Sequence, residues 1–218
     1  MKRRELIKGL AGLGAMALLP NILAMGNQQN NNLHFVGLGS GGTNAMVHIH
    51  GKGIKAQYTC ITGSYVSHLA PEMEHVCYET SLEYRRNAYK NKTQLAITPE
   101  IKSLFNEDDH YIILAGLGGF ACTGLISNLL DFLRAEQKNY LAICSMPGVN
   151  EGRGRWEYAK QKRMELDGLK NVLYFDHDSV NEEYGRLPIR PTFERADELF
   201  YSIFKNNSFQ VVDQFQLN

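Results

Sequence analysis

The chain carries no surplus of either charge: 23 basic side chains face 23 acidic ones. A nucleic-acid-binding surface needs a basic excess, so nucleic acid is not an expected partner. No Cys-x-x-Cys occurs among the four cysteines Cys60, Cys77, Cys122 and Cys144. The common zinc and thioredoxin patterns are thereby removed, and no metal site is expected. No glycine-rich segment ends in Gly-Lys-Ser or Gly-Lys-Thr, which excludes the P-loop NTPase class. No Gly-x-Ser-x-Gly is present, so there is no nucleophile elbow. There is no internal repeat, and the one apolar stretch, near the N-terminus, is too short and interrupted to make a good membrane span.

What is present suits one domain. The 218 residues are 44% hydrophobic and 21% charged, enough to bury a core without staples. Residues 1–26 stand apart. Lys2, Arg3, Arg4 and Lys8 precede an apolar, Gly- and Ala-rich stretch broken by Pro20 and Asn21, and Ala24-Met25-Gly26 offers small residues for cleavage. That is the pattern of an export signal, and Arg3-Arg4-Glu5-Leu6-Ile7-Lys8 resembles the twin-arginine type. The expected location is the periplasm or a membrane surface. The alternative is a chain on the cytoplasmic side, anchored by the same segment. Residues 27–32 read as a polar linker, 33–203 as the folded domain and 204–218 as a tail.

Within the domain, apolar runs alternate with helical patterns. Strands are expected at Leu33–Val36, Lys55–Ile61, His75–Tyr78, Tyr111–Leu114, Tyr140–Cys144 and Val172–Phe175. Helices are expected at Asn44–His50, Leu82–Tyr89, Pro99–Phe105, Leu125–Gln137, Arg155–Leu166 and Pro191–Phe204. Such alternation makes a doubly wound α/β fold with a mostly parallel sheet. Cys60, Cys77 and Cys144 fall on strands and read as small buried hydrophobes. His48 and His50 lie two apart on a helix, so they do not face one shared metal. Lys52 and Lys55 read as solvated.

Two glycine segments decide the class of ligand. Gly37-Leu38-Gly39-Ser40-Gly41-Gly42 follows the first strand and opens a helix. Glycine there lets backbone N–H groups close on phosphate oxygens, and the helix N-terminus adds partial positive charge. The spacing also satisfies the dinucleotide fingerprint, but no Asp or Glu lies between Thr43 and Pro71 to hold a ribose. An NAD(P)-binding Rossmann protein is therefore the weaker alternative. The second segment, Ala115-Gly116-Leu117-Gly118-Gly119-Phe120-Ala121-Cys122-Thr123-Gly124, also follows a strand and opens a helix. Two such segments can grip a polyphosphate from both sides.

Over roughly Leu33 to Phe215 the sequence resembles the tubulin/FtsZ family. Gly37 to Ala45, including Asn44, is similar to the first phosphate loop of FtsZ. Gly118 to Gly124 stands where the family has its Gly-Gly-Gly-Thr-Gly-Thr-Gly signature. Both ends are kept, with Gly119, Thr123 and Gly124 in register, while Phe120, Ala121 and Cys122 depart. Pro147 to Arg155 resembles the sugar-binding loop. The resemblance implies that Glu151 accepts from ribose hydroxyls and that Arg155 contacts sugar or base. His177 stands where FtsZ has an Asn that touches guanine. Phe193 and Asp197 match the central helix, one turn apart. The resemblance implies stacking on the base by Phe193 and acceptance from guanine N1–H and its amine by Asp197. It implies the nucleotide-binding fold of this family and a ligand of GTP or GDP, with or without Mg2+. A homo-oligomer or an FtsZ-like partner is implied as well.

Other family features are replaced. Glu79 to Asn91, where the γ-phosphate loop falls, contains no glycine. Ile61-Thr62-Gly63-Ser64 replaces the Asn-Thr-Asp type of segment after strand two. In the family, an acidic loop after the central helix enters the neighbour's site and helps to activate water. Asp213 matches one acid there, and Gln216 stands at the other. The second FtsZ domain is not expected in this chain. The reading is a guanine-nucleotide-binding protein with weak or no hydrolysis and impaired polymerisation. The alternative is a structural or interaction module that keeps the fold without nucleotide.

Overall fold

A computed structural model of the chain describes residues 33–67, 69–78, 94–105, 110–169, 171–184 and 188–215. The export segment, the linker, the helix expected at Leu82–Tyr89, the glycine-free stretch Glu79–Asn91 and Gln216 lie outside the described residues.

Six strands, β1 (Leu33–Leu38), β2 (Gln57–Thr62), β3 (Glu74–Cys77), β4 (His110–Gly116), β5 (Asn139–Met146) and β6 (Val172–Asp176), form one sheet in the order β3-β2-β1-β4-β5-β6. All five pairings are parallel. Strands covered on both faces need apolar side chains in both directions, which is why His110–Gly116 and Asn139–Met146 read as continuous apolar runs. The helices are α1 (Gly39–Gly51), α2 (Pro99–Ser103), α3 (Phe120–Ala135), α4 (Arg153–Leu166), α5 (His177–Tyr184) and α6 (Ile189–Phe215). A 3-10 turn, Val149–Glu151, follows β5.

The pleat divides the core in two. Phe35, Cys60, Ile112, Leu114 and Ile143 turn to one face, where Ala45, Met46 and Ile49 of α1 and Phe200 and Phe204 of α6 cover them. Val36, Leu38, Ile113, Ala142 and Cys144 turn to the other, under Leu125, Leu129 and Leu133 of α3 and Ala159 and Leu166 of α4. Burial pushes the thiols of Cys60 up to about 11 and Cys144 up to about 12, so neither is a thiolate nucleophile. All four cysteines are free. Among the described residues no helix is long and apolar enough to cross a membrane.

Several boundaries differ from the sequence expectation. α1 begins at Gly39, five residues before Asn44, and α3 begins at Phe120, before Leu125. Glycine lowers helix propensity by about 1 kcal/mol per residue, so propensity alone starts both helices late. Packing overrides it: at Gly42 the first turn of α1 lies against the backbone of β4, where no side chain fits. α6 does not stop at Phe204 but continues to Phe215, since no Gly or Pro interrupts it. α5 was not expected. Among its described side chains one apolar residue, Val180, is buried, too few for a periodic signal.

Candidate functional site

The strand order reverses between β1 and β4, the two central strands. In an open parallel sheet the connections leave these neighbours toward opposite faces, which opens a crevice at their carboxyl ends. Both glycine segments lie there. A Cβ added to Gly41 would meet Gly116 Cα at 3.3 Å, and one on Gly39 would meet Cys122 Cβ at 3.3 Å. Gly39 has φ +66°, a conformation that side chains other than glycine seldom adopt. The two helix starts thus converge on one point. Neither α1 nor α3 has a side-chain cap, and neither carries an acid in its first turn. Their leading N–H groups and aligned dipoles therefore present unneutralised positive potential.

The sequence-predicted residues of these segments take different roles. Gly37 packs against α1, where an added Cβ would lie 2.8 Å from Gly42 O. Ser40 and Asn44 are exposed, one turn apart on the outer side of α1. Gly119 is half-buried at the N-cap of α3. Thr123 is buried, and its Oγ1 accepts from Gly118 N–H at 2.7 Å. The carbonyl of Gly124 accepts from Leu95 N–H at 2.7 Å. Phe120, one of the departures from the family pattern, packs its ring 3.6 Å from the Cβ position of Gly63, just after β2. At the end of β2 the Thr62 hydroxyl donates to Ser64 O and meets His75 Nε2 at 2.7 Å.

The residues expected to form a sugar loop make a tight cluster. Pro147 and the backbone carbonyl of Arg155 close around Gly118, which would have no room for a Cβ. Glu151 reaches back across its 3-10 turn to accept from Gly148 N–H at 2.9 Å. The same oxygen, Oε1, is 2.6 Å from His177 Nδ1, and Oε2 is 3.2 Å from Arg155 Nη1. Burial works to raise the Glu151 carboxyl. Hydrogen bonds from His177 and Gly148, with the nearby charges of His177 and Arg155, outweigh it and hold the group below its ordinary value. Glu151 is therefore a carboxylate at neutral pH.

His177 is buried, and its ring meets that of Phe193 edge-on at 5.7 Å between centroids. One turn along α6, Asp197 feels both His48 and His177. Its burial pushes the carboxyl up to about 6, helped by Glu194 and opposed by the two histidines. Glu198 beside it holds His48 Nε2 at 2.9 Å and Lys52 Nζ at 2.8 Å. Lys52 also lies over the Tyr201 ring, so it is not simply solvated. This junction between α1 and α6 was missed in the sequence. His48 and Lys52 have helical spacing, but nothing local marks a partner 146 positions away. His50 pairs separately with Glu72 at 2.8 Å. Asp213 falls on α6, and its side chain lies outside the described residues.

No family model matches the chain. Over 184 residues it is 26% identical to the cell division protein FtsZ of Haloferax mediterranei, covering 77% of this chain and 47% of that protein. The chain thus spans about half the length of the curated relative it matches. It is similar to the empty FtsZ dimer of M. jannaschii, with a TM-score of 0.64 and 19% identity, covering 84% of this chain and 57% of that one. It is also similar to CetZ2 from Haloferax volcanii, solved as a GTPγS-bound protofilament, with a TM-score of 0.56 and 13% identity, covering 83% and 58%. The likeness establishes the fold: a six-stranded, all-parallel sheet with flanking helices, as in the nucleotide-binding domain of FtsZ and tubulin.

Proposed function

We propose that this chain, built on the nucleotide-binding fold of FtsZ and tubulin, binds GTP or GDP in the crevice over β1 and β4. The observation that carries the reading is the convergence of two uncapped helix starts at the point where the strand order reverses. Phosphates answer that potential, with any Mg2+ carried by the phosphates themselves. Phe193 and Asp197 lie on one face of α6, where an aromatic can stack on a purine and a carboxylate can accept from guanine N1–H and its amine. The GTPγS-bound CetZ2 protofilament supports the same ligand class and a homo-oligomeric or FtsZ-like partner.

Hydrolysis is proposed to be weak or absent, and polymerisation impaired. Phe120 replaces a small signature residue beside the phosphate crevice, and the stretch Glu79–Asn91 offers no glycine. Losing one preorganised donor at a transition-state oxyanion typically costs about 3 kcal/mol, or roughly a hundredfold in rate. Export by the twin-arginine route, which moves folded proteins, fits a domain that carries its nucleotide with it.

A second reading, an interaction module without nucleotide, is favoured by one observation: Glu151 already has internal partners in place of ribose hydroxyls. Denaturing purified protein and identifying the released nucleotide separates the two. Guanine nucleotide in the supernatant, and a Tm that rises with added GDP, supports binding. Neither result leaves the interaction module as the reading.

A further inference from the structure

Glu151 and His177 are built as a pair. Glu151 closes the turn after β5, His177 opens α5 after β6, and the adjacent strands bring together two residues 26 positions apart. Nδ1 of His177 lies 2.6 Å from Glu151 Oε1, and an ionised carboxylate cannot donate, so Nδ1 carries the hydrogen. Gly148 N–H fills the same oxygen. The other oxygen, Oε2, is buried without a hydrogen-bond partner, and Arg155 Nη1 lies 3.2 Å away outside hydrogen-bond geometry. Arg155 Nε is likewise buried and unpartnered. A carboxylate oxygen and a guanidinium therefore sit together without satisfying each other. Both gain when a donor reaches Oε2 and the arginine turns outward.

The two flanking side chains differ in freedom. The Arg155 side chain is 36% exposed, which leaves a path toward solvent, whereas that of His177 is 7% exposed and held by the edge-on Phe193 ring. We infer that His177 is a positioning residue for sugar recognition: its Nδ1–H holds Glu151 so that Oε2 is presented to ribose hydroxyls, with Arg155 as a movable cover on that oxygen. The inference rests on the guanine-nucleotide reading and assigns His177 to the sugar instead of the base.

Calorimetric titration of the full chain with GDP and with 2′,3′-dideoxy-GDP tests it. The wild-type protein is expected to prefer GDP by roughly tenfold or more, the worth of a hydrogen bond to a charged group. His177→Asn keeps that preference, because an asparagine Nδ2 stands as far from Cβ as the imidazole Nδ1. His177→Gln moves the donor one bond further and brings the ratio near one, while dideoxy-GDP affinity changes by less than about threefold. Thermal melts by circular dichroism establish that both variants are folded. The wild-type chain supplies a second readout: the His177 Nδ1 proton resonance moves with GDP and not with dideoxy-GDP. An unchanged preference in His177→Gln, equal wild-type affinity for both ligands, or a resonance that ignores both would overturn the inference and leave the nucleotide reading standing. Wild-type protein that binds neither ligand overturns both.

Discussion

Gly42 stands directly against Leu114: a Cβ at Gly42 would lie 2.0 Å from the Leu114 carbonyl oxygen. Backbone meets backbone there, and no rotamer change can make room. Gly42→Ala is expected to cost about 3 kcal/mol or more, the upper end of what overpacking does, because the obstacle is main chain. Gly51 ends the same helix with nothing within 4 Å of its Cβ position. Gly51→Ala is expected to stabilise by about 0.5–1 kcal/mol. Urea unfolding of the two variants checks both signs. Equal midpoints would mean that α1 does not press on β4 as described.

The glycines were legible as a phosphate-type segment, but their packing role was not. A run such as Gly39-Ser40-Gly41-Gly42 looks the same whether it cradles a ligand or lets a helix touch a strand, and here close packing is part of its use. Strands and their parallel arrangement could be read because burial on both faces writes itself into apolar runs such as Tyr111–Leu114. The Glu151–His177 pair could not be read. Its parts were each visible, but the pairing depends on β5 and β6 being neighbours, and no local pattern states which strands adjoin.

Asp197 gives a pH dependence with a definite sign. Its folded-state pKa of about 6 lies above the 3.8 of the free side chain, so the fold holds its proton longer than the unfolded chain. Stability is therefore lost as pH rises from about 4 to about 6, by at most about 3 kcal/mol at 1.4 kcal/mol per unit. Asp197→Asn is expected to remove that slope and to be more stable than wild type at pH 8. His48, His177 and Glu194 face Asp197 and stay in place in the variant. Chemical denaturation at pH 4, 6 and 8 reads the effect. A slope that survives in Asp197→Asn would assign it to another group.

Glu198 runs the other way and weakly. Hydrogen bonds from Lys52 and His48 hold its carboxyl below the ordinary value, so its contribution is present at neutral pH and fades as pH falls through the folded pKa. The side chain is 42% exposed, and solvent screens the pair. Glu198→Gln is expected to cost under about 1 kcal/mol in low salt and less in 0.5 M salt. A loss that salt does not reduce would point to packing of α6 on α1 as the cause.

Turnover is expected to stay far below that of an FtsZ polymer at saturating GTP and Mg2+. Positioning is a large share of phosphoryl-transfer catalysis, and the proposed reading has the residues that would complete the site replaced. Phosphate release measured against protein concentration, for the chain and for Asp213→Ala, is the check. Brisk release that grows with concentration and disappears in Asp213→Ala would show a working GTPase assembled between subunits.

Replacing Arg3 and Arg4 together by Lys is expected to stop export of a fused reporter, because the twin-arginine route distinguishes the two cations. Undiminished reporter outside the cytoplasm would withdraw that assignment.

The order of the strands also bears on how the chain comes to be folded at all. β1 comes first among the described strands yet sits near the middle of the sheet, bonded to β2 on one side and β4 on the other. Leu33 finds its partner on that second side only at His110, so during synthesis one edge of β1 waits for a strand still inside the ribosome. Parallel pairs cannot close through a tight hairpin, and sheets dominated by distant pairings reach their structure in milliseconds to seconds, not microseconds. Through that interval α1 and β2 can already cover Phe35, but the β4 side of β1 keeps an open row of backbone donors and acceptors, the kind of edge on which another extended chain can pair.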